Sequence, residues 1–324
     1  MVHDTIDERM QMIAKRVHAL QRTSNARIWN VLIDVIKMYL SGSQSDAFQN
    51  FYSLFSDNIS SIRFSCLKKD ANLYRMRTGK NGYEEFNTKE EMFHIPFEYN
   101  HLVRNERYSI SGFPSLYFGS SVYVCWEEMR RPELDYTNIA LFKPVENIKV
   151  LDLSNPNFLH FTNERFSDCL VLACSMLVKE PSAPFKPEYI IPQMLLQSLV
   201  KYNQENKNGR IEGIKYTSTH IKDNSLWIDF PANRNNKDLF VNYVFPAFDR
   251  KEKGISCRLD GLFQFNQCIT YNKMRLMYPN YEYDINDTSY NRSVFGKMEQ
   301  LLQFLAVKGK LFYDKSNPIG ALNL

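Results

Sequence analysis

Apolar residues recur at helical spacing from the start of the chain. Ile6, Met10, Ile13, Val17 and Leu20 form one series, and Ile28, Val31, Leu32, Val35, Ile36 and Leu40 form a second after a polar stretch. This period predicts two amphipathic helices, or one broken around Ser24-Asn25. Ser41-Gly-Ser-Gln-Ser45 is a stop signal, and Phe48 to Phe55 predicts a further helix. Residues 1–65 are thus expected to form a helical N-terminal region without chemistry of its own.

The pattern changes to alternation at Ile62. Ser-Ile-Arg-Phe-Ser-Cys-Leu67 and Asn72-Leu-Tyr-Arg-Met-Arg77 predict strands, with Gly79 to Gly82 as a hairpin turn. Arg107-Tyr-Ser-Ile110, Ser111-Gly-Phe-Pro114 and Leu116-Tyr-Phe118 predict a strand, a turn and a second strand. Ser120 or Ser121 can cap a helix bearing Val122, Cys125, Trp126 and Met129. Strands are predicted at Ile139–Phe142, Ile148–Leu153, Ile211–Tyr216, Leu226–Phe230 and Asp238–Val244, and helices at Glu164–Val178, Pro187–Tyr202 and Ser293–Leu305. Asp284–Arg292 is predicted to be a loop. The resulting fold class is α+β.

Composition narrows the function. A hydrophobic share of 44% over 324 residues supplies a proper core, while only 12 glycines argue against Gly-rich phosphate loops as a main device. A net charge of +4 gives no argument for nucleic acid or membrane binding. No apolar run approaches the roughly 18 residues of a membrane span, and the acidic N-terminus is unlike a signal peptide, so a cytoplasmic protein is expected. The six cysteines include no C-x-x-C pair and read as buried free thiols. The scattered histidines offer no metal spacing, so no metal is expected. Thr78-Gly-Lys-Asn-Gly82 lacks the order of a phosphate loop, and no G-x-S-x-G elbow is present.

One constellation remains. Leu73-Tyr-Arg-Met-Arg77 is followed by Arg107, by Ser115-Leu-Tyr-Phe-Gly-Ser-Ser121 and by Cys125-Trp-Glu-Glu128. Arginines facing a cleft match phosphate oxygens two at a time, so Arg75 and Arg107 are candidates to grip one pyrophosphate. Tyr117 offers a ring that stacks on a planar base, and Glu128 a carboxylate for a ribose hydroxyl or a cationic sugar carbon. Arg77 shares a strand face with Arg75 and either assists the phosphates or pairs with a carboxylate. Taken singly, Arg75 reads as a salt-bridged surface residue, Tyr117 as a core aromatic and Glu128 as a solvated helix residue.

Together, Tyr74-Arg75, Arg107 near a Gly-Phe-Pro turn, Leu116-Tyr-Phe-Gly-Ser-Ser121 and a glutamate eleven positions after Tyr117 resemble the RES domain, a family of NAD-degrading toxins of bacterial toxin–antitoxin pairs. Gly213-Ile-Lys-Tyr-Thr-Ser218 is similar to the family's Gly-Ile-x-Tyr-x-Ser strand, which makes Ser218 the candidate serine. The resemblance covers roughly residues 66 to 250. It departs from the family's pattern at Glu106-Arg-Tyr-Ser109, where Gly-Arg-Phe-Asn is usual. It implies a mixed β-sheet core like that of ADP-ribosyltransferases, taken as residues 66–270; the helical N-terminal region and the C-terminal tail 271–324, which carries the helix predicted at Ser293–Leu305, fall outside the resemblance. It also implies cleavage of NAD by hydrolysis or phosphorolysis.

On that resemblance Glu128 and Ser218 are the catalytic candidates, and Arg75, Arg107 and Tyr117 the NAD-binding ones. Glu128 is taken over the adjacent Glu127 from the family spacing. NAD is then a consumed substrate rather than a cofactor, and a cognate antitoxin or immunity protein is a candidate partner. Two other functions fit the same residues: transfer of ADP-ribose to a macromolecule, or an inactive interaction module whose helical ends bind a partner.

Overall fold

The computed structural model describes residues 5–11, 25–80, 84–154, 166–206, 208–220, 240–277 and 289–308. Its centre is an eight-stranded mixed sheet. The strands are β1 (Phe64–Leu67), β2 (Leu73–Thr78), β3 (Ser115–Gly119), β4 (Thr137–Pro144), β5 (Ile148–Leu153), β6 (Gly213–Thr217), β7 (Val241–Pro246) and β8 (Phe263–Thr270). They lie in the order β1-β5-β6-β7-β3-β2-β4-β8. The β5–β6 pair is parallel and the other pairs are antiparallel.

Register and side-chain alternation divide the sheet into two faces. Tyr117 pairs with Val244, Val244 with Ile214, and Gly119 with Asn242, which in turn pairs with Tyr216. All six therefore share one face. Over this face lie α1 (Asn25–Leu40), α2 (Gln44–Asp57), α4 (Phe166–Cys174) and α5 (Ile190–Glu205). Trp29, Leu32, Phe51, Phe55, Leu170, Leu195 and Leu199 join Leu151, Ile214 and Val244 in one buried cluster. The apolar stripes of α1 and α2 are spent on this core.

A second cluster covers the β2–β4 end. There α3 (Val122–Glu128) and α8 (Val294–Lys308) bury Tyr123, Phe295, Met298 and Leu302 against Tyr74, Ile139 and Leu141. Tyr74 is in register with Gly119, so the two helical layers cover opposite ends of the same face. The other face holds Leu116, Phe118, Phe142 and Phe245, packed with Phe93 and Phe263. This last cluster also rests on α6 (Cys257–Leu262), which is followed after β8 by α7 (Tyr271–Met277).

The segments differ from expectation in several places. Arg107–Ile110 is not a strand: Glu106 and Ser109 bridge each other, as do Ile110 and Phe113, so the segment folds into two tight turns. The hairpin turn predicted at Gly79–Gly82 lies partly outside the described residues; residues 84–114 hold no strand, and the sheet neighbours of β2 are β3 and β4. The start of that stretch is held by Asn138, whose Oδ1 accepts from the Phe86 N–H and whose Nδ2 donates to the Glu84 carbonyl. The helix near the N-terminus is described only over residues 6–11, and the strand predicted at 226–230 lies outside the described residues. Four cysteines are buried, but Cys66 and Cys257 are exposed. No described helix is long and apolar enough to cross a membrane.

Candidate functional site

The two helical layers part over β3, β7 and β6, and a cleft of about 980 Å³ opens there. Arg75, Arg107, Tyr117 and Glu128 all line it, together with Tyr216, Thr219, His220 and Asn242. The volume is at the upper end of what a cofactor-sized ligand occupies. Its charged lining is Arg75, Arg104, Arg107, Arg130 and Lys186 against Glu106 and Glu128, a cationic excess that favours an anionic ligand.

Helix α3 is positioned with little freedom. Ser121 caps it by accepting from the Val124 N–H at 3.1 Å, and Val122 N–H donates to the Glu299 carboxylate of α8 at 2.8 Å. Gly119 lets the helix lie directly on β3: a Cβ there would stand 2.5 Å from Val124 Cγ1 and 2.6 Å from Cys125 Sγ. Burial pushes the Cys125 thiol up to about 12, and its Sγ contacts the Tyr74 carbonyl at 3.2 Å. This thiol is a packing group.

At the end of α3 the two adjacent glutamates part. Glu127 is buried and takes Nε and Nη2 of Arg131 in two bonds of 3.0 Å. Glu128 faces the cleft. Its Oε1 accepts from Ser218 Oγ at 2.6 Å and from Asn242 Nδ2 at 2.7 Å. Its Oε2 lies 3.7 Å from His220 Nε2 and has no hydrogen bond among the described residues. One carboxylate oxygen is thus held by two donors while the other is presented to the cleft. Ser218 keeps its place through its N–H, which donates to the Phe240 carbonyl, and its Oγ also accepts from the His220 N–H at 3.2 Å.

The arginines are more engaged than two free clamps. β2 and β3 share the single pair Tyr74–Gly119 and then diverge. Backbone bonds from Ser120 N–H to Val241 and from Ala247 N–H to Pro114 set the phase of β3, turning the even-numbered residues toward β7 and the Tyr117 carbonyl toward β2. Arg75 fills the gap, donating to that carbonyl at 2.9 Å and to the Phe93 carbonyl at 3.1 Å. Burial, with Arg77 nearby, lowers its guanidinium to about 10. Arg107 donates to the Cys174 and Met176 carbonyls and to Thr219 Oγ1, with its guanidinium 5.3 Å from the Tyr189 ring centroid. Both side chains are therefore fixed in place, with only part of their donor fork left over. Arg77 bonds the Glu91 carbonyl and lies over Phe86, outside the cleft lining.

Tyr117 presents its ring to the cleft and exchanges a 2.9 Å hydrogen bond with Ser109; burial raises its hydroxyl pKa. The turn carrying Arg107 is pinned from α5, where Gln193 Nε2 donates to the carbonyls of Glu106 and Ser109. Asn242, Thr219 and His220 escaped the sequence reading. For Asn242 a signal existed: it is a lone amide in the apolar run Val241–Phe245, where a buried polar side chain needs a partner. Among the described residues, no group of His, Cys, Asp and Glu is arranged to hold a metal ion.

Against known proteins, the chain is 34% identical over 268 residues to "Putative toxin YopC" of Bacillus subtilis (strain 168). The match takes in 73% of this chain and 56% of that protein, so the chain spans little more than half the length of this curated relative. No protein-family model matches the chain, and no solved structure does.

Proposed function

We propose that the protein cleaves the nicotinamide–ribose bond of NAD in this cleft, on a RES-like, ADP-ribosyltransferase-like framework, and that it acts as a toxin by depleting cytoplasmic NAD. The observation that carries the reading is the Glu128 carboxylate, with Oε1 held by Ser218 and Asn242 and Oε2 open to the cleft beside the Tyr117 ring. The name of the Bacillus subtilis relative supports the toxin role. An antitoxin or immunity protein is the corresponding partner.

In this mechanism the nicotinamide lies against Tyr117 and the cationic lining receives the pyrophosphate. The C1′–N bond breaks with its electron pair leaving on nicotinamide, and the ribose carbon becomes oxocarbenium-like. Glu128 Oε2 stabilises that charge and holds a ribose hydroxyl. The fixed donors on Oε1 prevent the carboxylate from rotating away, so its charge is preorganised rather than recruited. Water or phosphate then attacks C1′ and loses a proton to solvent.

The test is incubation with NAD, with and without phosphate, followed by product masses. ADP-ribose marks hydrolysis, ADP-ribose 1″-phosphate marks phosphorolysis, and labelled macromolecule marks transfer. Ser218→Ala and Asn242→Ala are each expected to lower kcat about 10-fold by freeing the carboxylate. Intact NAD after prolonged incubation with wild-type protein refutes the reading.

A further inference from the structure

The end of α3 holds an arginine where the backbone favours glycine. Arg131 N–H donates to the Trp126 carbonyl and Arg130 N–H to the Glu127 carbonyl, the paired bonds that close a helix with a left-handed residue. The same pair follows α1, where Ser43 N–H reaches Met38 and Gly42 N–H reaches Tyr39. There the left-handed position is Gly42, at φ +93°; after α3 it is Arg130, at φ 62°, followed by Arg131 at φ 56°.

A side chain in this conformation carries a steric cost that glycine avoids. For Arg131 the compensation is visible: two bonds to buried Glu127 and a place 5.5 Å from the Trp126 ring centroid. Arg130 has none. Its side chain is exposed, makes no hydrogen bond or ion pair among the described residues, and lines the cleft two positions beyond Glu128. The other arginines deep in the cleft, Arg75 and Arg107, already spend donors on main-chain carbonyls. Strained positions that persist without local compensation cluster at ligand sites.

We infer that Arg130 is a substrate-binding residue, an uncommitted cation that takes an anionic group of the ligand, of the diphosphate class, while Arg75 and Arg107 mainly shape the cleft around it. The inference deepens the NAD reading and rests on it for the identity of the ligand. The left-handed backbone turns Arg130 off the helix at the point where Glu128 ends it, so the anion and the scissile bond are referenced to one rigid element.

The experiment compares wild type with Arg130→Gly, Arg130→Asn and Arg130→Lys. Glycine and asparagine both tolerate the left-handed position, so their melting temperatures are expected to equal or exceed that of wild type. Both are expected to raise KM for NAD about 10-fold with a much smaller change in kcat, the loss of one charge-assisted contact. Lysine keeps the charge and is expected to restore most of the affinity. The same four proteins are titrated with ADP-ribose by calorimetry, which needs no turnover. Wild type that binds ADP-ribose but leaves NAD intact refutes the NAD-cleavage reading alone; weakened ADP-ribose binding in Arg130→Gly then still upholds the inference. Equal affinity in wild type and Arg130→Gly overturns it, as does a lowered melting temperature in Arg130→Gly. Wild type that does not bind ADP-ribose overturns both.

Discussion

Replacing Gly119 by alanine tests the claim that the carboxylate is placed by a close strand–helix approach. The added Cβ meets Val124 Cγ1 at 2.5 Å, Cys125 Sγ at 2.6 Å and the Ser121 carbonyl at 3.0 Å. Non-bonded carbons rest at roughly 3.5–4.0 Å, so α3 must withdraw by about 1 Å. Neither Val124 nor Cys125 can swing clear, since both are buried, and the Ser121 atom met is a backbone carbonyl. Overpacking of this kind costs about 1–3 kcal/mol. A displacement of about 1 Å at the reacting group costs on the order of 10²-fold in rate. Gly261→Ala is the control, because a Cβ there meets nothing within 4 Å. Nicotinamide release is measured well below the melting temperature of each variant, alongside urea denaturation. Gly119→Ala is expected to lose both stability and kcat, and Gly261→Ala neither. Wild-type kcat in a destabilised Gly119→Ala would show that the approach does not set the carboxylate's position.

The two adjacent glutamates predict opposite phenotypes. Glu127→Gln breaks the charged pair with Arg131 and is expected to cost about 1 kcal/mol, small because Arg131 is exposed, with activity retained. Glu128→Gln is expected to lower kcat by about 10²-fold or more with little change in urea midpoint; the reverse outcome would reassign the site to Glu127. His94 predicts a pH effect. It accepts from the Ser256 N–H at 2.9 Å through Nε2 and donates to the Ile95 carbonyl, and burial lowers its pKa below 6.5. Below pH 6.5 the unfolded chain takes up a proton that the native state refuses, so stability falls on acidification from that point toward the lowered native value, by at most about 1.4 kcal/mol per pH unit. Urea midpoints between pH 7.5 and 5 should show this slope, and His94→Gln should flatten it.

How far the sequence could be read depended on the range of the interactions. The helical period of Ile28 to Leu40 reflects one face packing on one core, and α1 lies where that period puts it, while α2 spans the helix predicted at Phe48–Phe55. Alternation located β2 and β3 for the same reason. Arg107–Ile110 alternates because Tyr108 buries its side chain and Ile110 packs partly against the same core, while the backbone bonds close turns; alternation reports burial, not pairing. The segment from Cys257 to Met277, a helix, an edge strand and a helix in succession, carries no clean period. The choice between Glu127 and Glu128 lay beyond periodicity, since α3 is seven residues long. The i, i+4 spacing of Glu127 to Arg131 was the available clue. Donor commitments such as those of Arg75 come from a carbonyl 42 positions away and leave no local trace.

The strand order has a consequence for the protein's own synthesis. Glu128 is oriented by Ser218 and Asn242, and β3 is completed by β7, which leaves the ribosome long after α3. Chains elongate at about 5–20 residues per second, so the interval between the two is on the order of 10 s. Throughout it the carboxylate exists without the groups that aim it. A nascent chain released early, or truncated before residue 242, therefore lacks an assembled cleft, and the carboxylate gains its orienting groups only after most of the sheet has closed.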